Sequence, residues 1–278
     1  MSKKESLCVF DCETIPDVDL IQKVASDEIL KAAKIGKKID SKKLSELFMS
    51  WHEEKTGSNF LPINFHKIVC ISCVMCDEFG KFTRVVSIDG GDEKEKIEKF
   101  LVYIEKFNPR LVSFNGRGFD LPMMMIRAMK YNLSATNYFC TNDKISGKDK
   151  WSNYRSRYDG AFHLDLLDHI SDFGSVRGFK LDTLCATLNL PGKYDVSGDQ
   201  VLELYYQNEL EKISQYCESD VLNTYWLFLK YELLRGNLIK EDYINNLNLM
   251  SQWLNLNKPQ ASYTPVFSEY IRNELGEI

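Results

Sequence analysis

The sequence predicts an α/β fold. A first strand is expected from Ser6 to Ile15, where Leu7, Val9, Asp11 and Glu13 share one face and Cys8, Phe10 and Cys12 the other. Two apolar runs, His66 to Asp77 and Lys81 to Ile88, joined through Glu78-Phe79-Gly80, read as a hairpin. A helical stretch from Glu93 to Phe107 and a strand from Arg110 to Asn115 complete a strand, hairpin, helix, strand series.

Between the first strand and the hairpin, residues from about Leu20 to Phe60 read as a lysine-rich helical insertion ending near Gly57-Ser58-Asn59. Pro122 suits a first helical turn, and the apolar stretch Met123 to Tyr131 continues that helix. A polar loop, Thr141 to Gly160, leads to a short strand at Ala161 to Leu167. Helices are then expected at Leu181 to Leu190, Asp199 to Gln207, Glu209 to Leu234 and Glu241 to Leu254. One α/β domain over residues 1–236, with the insertion at about 20–60, is followed by a helical C-terminal extension and tail over 237–278.

Composition narrows the class. At 278 residues and 44% hydrophobic, the chain is long enough for one large domain and too polar for a membrane protein. The start, Met-Ser-Lys-Lys-Glu, holds no apolar signal region, and no apolar run reaches spanning length, so no membrane partner is expected. Eight cysteines scattered through strands and helices fit buried thiols in a reducing cytoplasm. A net charge of −5 argues against a protein that coats nucleic acid through a broad basic surface. It does not argue against an enzyme whose clustered acids hold cations, because the metals then set the local field.

Three motifs carry chemistry. Asp11 and Glu13 project from one strand face beside Leu7 and Val9, and two ionised carboxylates there repel unless a cation sits between them. Asn115-Gly116-Arg117-Gly118-Phe119-Asp120 falls at a strand-to-helix junction, where the glycines permit a tight turn and Asp120 also reads as a helix N-cap. In Tyr216-Cys217-Glu218-Ser219-Asp220, the tyrosine and last aspartate lie four apart and share a helix face, and Glu218 reads as solvent-facing.

The order Asp-x-Glu, Asn-x-x-x-Phe-Asp, Tyr-x-x-x-Asp resembles the DEDDy-type 3′-5′ exonucleases, specifically the exonuclease domain of B-family DNA polymerases and the freestanding bacterial proteins related to it. The likeness extends through Phe162-His163-Leu164-Asp165-Leu166 and Leu190-Pro191-Gly192-Lys193 and covers roughly Ser6 to Gly236. The resemblance implies an RNase H-like mixed β-sheet flanked by helices and a two-metal site. It implies that Asp11 bridges both metals, Glu13 and Asp220 complete the site nearer the nucleophile, Asp120 holds the second metal, and Tyr216 orients the attacking water. Position 215, where a sister group carries histidine, is Gln. Asn115 and Phe119 would contact the terminal nucleotides.

The expected activity is metal-dependent 3′-5′ hydrolysis of single-stranded DNA that releases nucleoside 5′-monophosphates. Two divalent cations, Mg²⁺ or Mn²⁺, are the expected cofactors, since hard cations prefer carboxylate oxygen. The residues leave the sugar open. RNA 3′-end trimming is the alternative, and a non-catalytic nucleic-acid-binding protein on a nuclease fold is a third reading, whose signature would be a missing carboxylate. With no stretch left for a polymerase palm and fingers, any polymerase or repair partner is expected to be a separate chain.

Two basic islands are candidates for tracking phosphates: Lys31, Lys34, Lys37, Lys38, Lys42 and Lys43 in the insertion, and Lys148, Lys150, Arg155 and Arg157 around Trp151, Tyr154 and Tyr158. Arg155 and Arg157 are the substrate-binding candidates among them. Cys70, Cys73 and Cys76 lack a second ligand pair, so they are expected to be buried thiols and not a zinc site. His163 is expected to be structural.

Overall fold

The computed structural model describes residues 6–88, 90–193 and 198–277. The Met1 to Glu5 leader reading lies outside these residues.

β1 (Leu7–Pro16) runs through the middle of the sheet. The insertion follows as α1 (Val18–Val24), α2 (Asp27–Ala32), the short strands β2 (Lys34–Ile35) and β3 (Lys38–Ile39), and α3 (Ser41–Thr56). Its helices start on side-chain caps from Asp17, Ser26 and Asp40, and α3 stops at Gly57 with φ of 79°. The continuous helical reading of this region needs correcting at 34–39. Gly36, at φ of 63°, reverses the chain so that Lys34 pairs with Ile39 and Ile35 with Lys38. Lys34 and Lys38 therefore sit on a two-stranded ribbon and Lys37 on its turn, not on a helix face.

β4 (His66–Cys76) and β5 (Phe82–Ser87) form the expected hairpin, turned at Gly80 with the Asp77 carboxylate accepting the Phe79 and Lys81 amides. α4 (Glu93–Phe107), capped by Asp92, crosses to β6 (Arg110–Ser113). α5 (Asp120–Lys130), α6 (Thr136–Phe139), β7 (His163–Asp165), α7 (Leu166–Ile170), α8 (Leu181–Thr187) and α9 (Val201–Tyr206) lead to the long α10 (Leu210–Leu234).

The five-stranded sheet has the order β5-β4-β1-β6-β7, with β4 antiparallel to β1 and β5, and β6 parallel to β1 and β7. This is the mixed sheet that the sequence led one to expect. Strand alternation sends Leu7 and Val9 into one core with Val112, Leu164 and the buried face of α10. Cys8, Phe10 and Cys12 enter the opposite core with α4 and α5. Cys70, Cys73 and Cys76 fall into three different apolar clusters, and all eight cysteines are free thiols.

α11 (Lys240–Asn257) and α12 (Tyr263–Glu277) close the chain. The tail is thus an ordered helix, held because Tyr263, Phe267 and Ile271, four residues apart, enter the same core as α10. Glu218 is also reassigned: it is 2% exposed and receives hydrogen bonds from Ser87, Lys258 and Tyr263. With the sheet on one side of α10 and the C-terminal helices on another, the side expected to meet water is covered. No described helix is long and apolar enough to cross a membrane.

Candidate active site

α10 runs opposite to β1. Ile213 packs with Ile15, the Cys217 thiol reaches the Asp11 carbonyl at 3.5 Å, and Val221 lies with Val9 and Leu7. Tyr216 and Asp220 each precede one of these sheet-facing residues by one position, so they emerge at the edge of the packed face, beside Asp11 and Glu13. The Glu13 carboxylate, the Asp11 carboxylate and the Cys217 sulfur all lie within 4.8 Å of one another.

Asp120 arrives from the other side. Because β6 pairs in parallel with β1 only as far as Val9 and Val112, the turn after Ser113 rises next to Asp11. A buried carboxylate shapes that turn: Asp165 accepts the amides of Asn115 at 2.9 Å, Arg117 at 2.8 Å and Leu167 at 3.0 Å. Asn115 adopts φ of 66°, and a Cβ on Gly116 would lie 2.5 Å from the Ser113 hydroxyl. Asp120 opens α5 and is 4% exposed; the cap position is Phe119, which makes no side-chain capping bond, so the N-cap reading of Asp120 does not hold.

A cleft of about 870 Å³ is lined by Asp11, Asp120 and Asp220 together with Asn115, Phe119 and Lys193. Glu13 and Tyr216 do not line it, though both lie close enough to Asp220 for its charge to raise their pKa. Arg155 and Arg157 do not line it either. The Arg157 guanidinium bonds Asp168 at 2.7 Å and the Phe173 carbonyl at 3.0 Å, and Arg155 lies over the Phe139 ring at 5.3 Å.

The rest of the second island is split: Trp151 and Tyr158 are exposed, whereas two of its members belong to the core. Lys148 is 2% exposed and donates to the Asn137 carbonyl at 2.8 Å, while the buried Tyr154 donates to the Pro109 carbonyl at 2.6 Å. In the first island, Lys42 is tied to Glu203. His163 is fully buried between the Ser113 hydroxyl, 2.8 Å away, and Arg117.

Sequence reasoning assigned no role to Lys193, yet its charge acts on both Glu13 and Asp220. Asn223, one turn beyond Asp220, accepts the Gly192 amide at 3.0 Å and donates to its carbonyl, and Asp182 accepts the Lys193 amide at 3.0 Å. These bonds hold the Lys193 ammonium 5.7 Å from the centre of the Tyr216 ring. The quoted Leu-Pro-Gly-Lys segment was the available signal, but spacing alone does not show that a loop lysine returns to the site.

The electrostatics follow from this convergence. Burial, then the charges of Asp120, Glu13 and Asp220, push the Asp11 carboxyl far above the ordinary carboxylate range. Glu13 is raised in the same way by burial and Asp220, with Lys193 opposing. Burial raises Asp120 to about 7, against hydrogen bonds from its own amide and from Cys12. Burial raises Asp220 to about 6, against Lys193 and the Tyr216 hydroxyl. Burial and the neighbouring carboxylates also push the Tyr216 phenol up, so it stays protonated at neutral pH.

A folded chain whose carboxyls hold protons above their ordinary pKa, about 4, binds more protons than the unfolded chain, so its stability falls as pH rises through the raised values. Buried His66 and His163 are held low and act oppositely, but only below about 6.5, their unfolded value. The Cys70 thiol, lowered to about 7 chiefly by its hydrogen bond with Cys217, also acts oppositely up to about 8.5, one group against the several raised carboxyls. In chelator, the melting temperature is therefore expected to drop between pH 7 and 8.5, with a smaller drop in Asp120→Asn. A flat or rising profile in differential scanning calorimetry would contradict this account.

The carboxylate oxygens, mutually repelling and with no histidine among them, suit hard divalent cations, and the one sulfur nearby, the Cys217 thiol, is kept protonated by burial and donates to the Asp11 carbonyl.

Residues 58–271 match the family model described as a predicted 3′-5′ exonuclease related to the exonuclease domain of PolB. Asp120, Tyr216 and Asp220 fall inside that match, and Asp11 and Glu13 precede it. A DNA polymerase of Archaeoglobus fulgidus is 23% identical over 181 residues, 60% of this chain and 22% of the polymerase's length. A solved family B DNA polymerase of Pyrobaculum calidifontis is 18% identical with a TM-score of 0.46, over 95% of this chain and 28% of the polymerase chain. With more than half its length matched, this chain belongs to the family of predicted 3′-5′ exonucleases related to the exonuclease domain of PolB.

Proposed function

We propose that the chain is a metal-dependent exonuclease of the cytoplasm that removes nucleotides from the 3′ end of single-stranded DNA and releases nucleoside 5′-monophosphates. The observation that carries this reading is that Asp11, Asp120 and Asp220 line one cleft with Glu13 beside them, where Asp120 and Asp220 raise the pKa of both Asp11 and Glu13. Such a cluster is costly unless cations neutralise it. DNA is favoured over RNA because the curated relative is a DNA polymerase.

In this reading Asp11, Glu13, Asp120 and Asp220 hold two divalent cations, Mg²⁺ or Mn²⁺. When bound, the pair supplies positive charge that activates the attacking water and stabilises the departing 3′ oxygen. The chain's own residues do the positioning. Tyr216, kept protonated, is a hydrogen-bonding group that orients water and not a general base. Asn115 and Phe119, on the cleft wall, contact the terminal nucleotide, and Lys193 balances phosphate charge. Water oxygen bonds to phosphorus, the bond from phosphorus to the 3′ oxygen breaks, and the shortened strand keeps a 3′ hydroxyl.

The test is to incubate 5′-labelled single-stranded DNA and RNA with Mn²⁺ or Mg²⁺, and with EDTA. Chelator-sensitive laddering from the 3′ end of DNA is expected; binding without cleavage would overturn the proposal, and cleavage of RNA alone would move it to the other sugar. Tyr216→Phe is expected to lower kcat roughly 10²-fold, with Mn²⁺ affinity by calorimetry unchanged. A large loss of metal affinity would instead make Tyr216 part of the metal site's scaffold.

A further inference from the structure

Phe60 ends the insertion just before β4, and its ring is 59% exposed, yet it lines the same cleft as three of the carboxylates. A single exposed phenyl group needs no explanation; this one is built into a supported cluster. Its centroid lies 5.3 Å from that of Phe119 and 4.9 Å from that of His66, and His66 meets Phe119 edge-on at 4.9 Å. His66 is buried and fixed at both ring nitrogens: Nε2 pairs with the Leu61 carbonyl at 3.0 Å and Nδ1 with the Thr14 hydroxyl at 2.9 Å. The support is therefore anchored to β1 one residue beyond Glu13. Lys180 and Lys193 also line the cleft and supply charge for a backbone lying across it.

Resting on the nuclease reading, we propose that Phe60 is a base-stacking residue, forming with Phe119 a two-ring shelf for consecutive unpaired bases of a single-stranded 3′ end. Phe119, the chain neighbour of Asp120, serves the terminal base; Phe60, one ring further out, serves the second. Every base has a π-face, so the shelf selects strandedness and not sequence. A duplex end must unpair before its second base reaches Phe60, which disfavours paired ends.

The experiment compares wild type, Phe60→Ala and Phe60→Trp in two assays. One is binding of a fluorescent oligothymidylate in Ca²⁺ by anisotropy. The other is Mn²⁺-dependent hydrolysis of that oligonucleotide and of thymidine 5′-p-nitrophenyl phosphate, which has no second base. In Phe60→Ala, Kd and KM for the oligonucleotide are expected to rise roughly 5- to 150-fold, with hydrolysis of the mononucleotide ester unchanged; Phe60→Trp restores binding. Wild-type oligonucleotide affinity in Phe60→Ala overturns the proposal, and so does an equal loss on the mononucleotide ester. Binding needs no turnover, so a wild type that cleaves nothing sinks the nuclease reading, while the anisotropy comparison still decides the shelf.

Discussion

Asp11→Ala is expected to abolish 3′-end hydrolysis, lowering kcat/KM by at least ~10³-fold, which corresponds to about 4 kcal/mol of lost transition-state stabilisation. Asp11 is the residue whose carboxyl is raised by all three of its acidic neighbours, so it lies at the centre of the cluster. In the proposed two-metal reading, removing it takes away the group that both cations would share. It also relieves repulsion among buried acids, so the metal-free variant should melt no lower than wild type at pH 8. This pairing separates a site residue from a scaffold residue. The measurements are single-turnover cleavage of labelled DNA in Mn²⁺ and a melting curve in EDTA; full activity in the variant would remove Asp11, and the two-metal account with it.

Arg127→Ala carries the largest expected stability effect, a loss of about 3–5 kcal/mol, because it strips the buried Glu93 of its ion-pair partner and leaves the buried Asp17 with only Lys130. Arg127 is 3% exposed and bridges Asp17, just after β1, and Glu93 at the start of α4. Glu93 in addition accepts the Ile68 amide of β4 at 2.7 Å and the Tyr131 hydroxyl at 2.6 Å. Burial alone would raise Asp17, but Arg127 and Lys130 outweigh it and hold that carboxyl below its usual value. The node joins the end of β1 and the start of β4 to α5, whose first residue is Asp120. Urea unfolding monitored by circular dichroism measures the loss; a change below about 1 kcal/mol would place the pair among weak surface contacts.

Much of this molecule is written in local periodicity. The alternation along Leu7 to Glu13 fixes which side chains enter each core, and the heptad-like spacing of Ile213, Cys217, Val221 and Phe228 fixes the buried face of α10. Glu93 to Phe107 begins and ends where capping chemistry puts it, at Asp92 and Asn108. Errors arose where a residue's surroundings come from distant chain. Glu218 looks solvent-facing from α10 alone, because the lysine and tyrosine that cover it come from positions 258 and 263. Lys148 and Tyr154 look like a basic and aromatic surface, but the fold packs both inward.

By itself, then, the sequence determined the α/β class, the strand faces and the order of the carboxylate motifs, since each depends on spacings of two to four residues that backbone geometry sets directly. Only the tertiary structure decided that residues 11, 120 and 220 line one cleft with Glu13 beside them, that Lys193 returns to them, and that Phe60 stands beside Phe119. Those meetings depend on sheet register, on the parallel pairing of β6 with β1, and on Asp165 and Asn223 clamping two loops. They join residues far apart in the chain, and no local pattern encodes them.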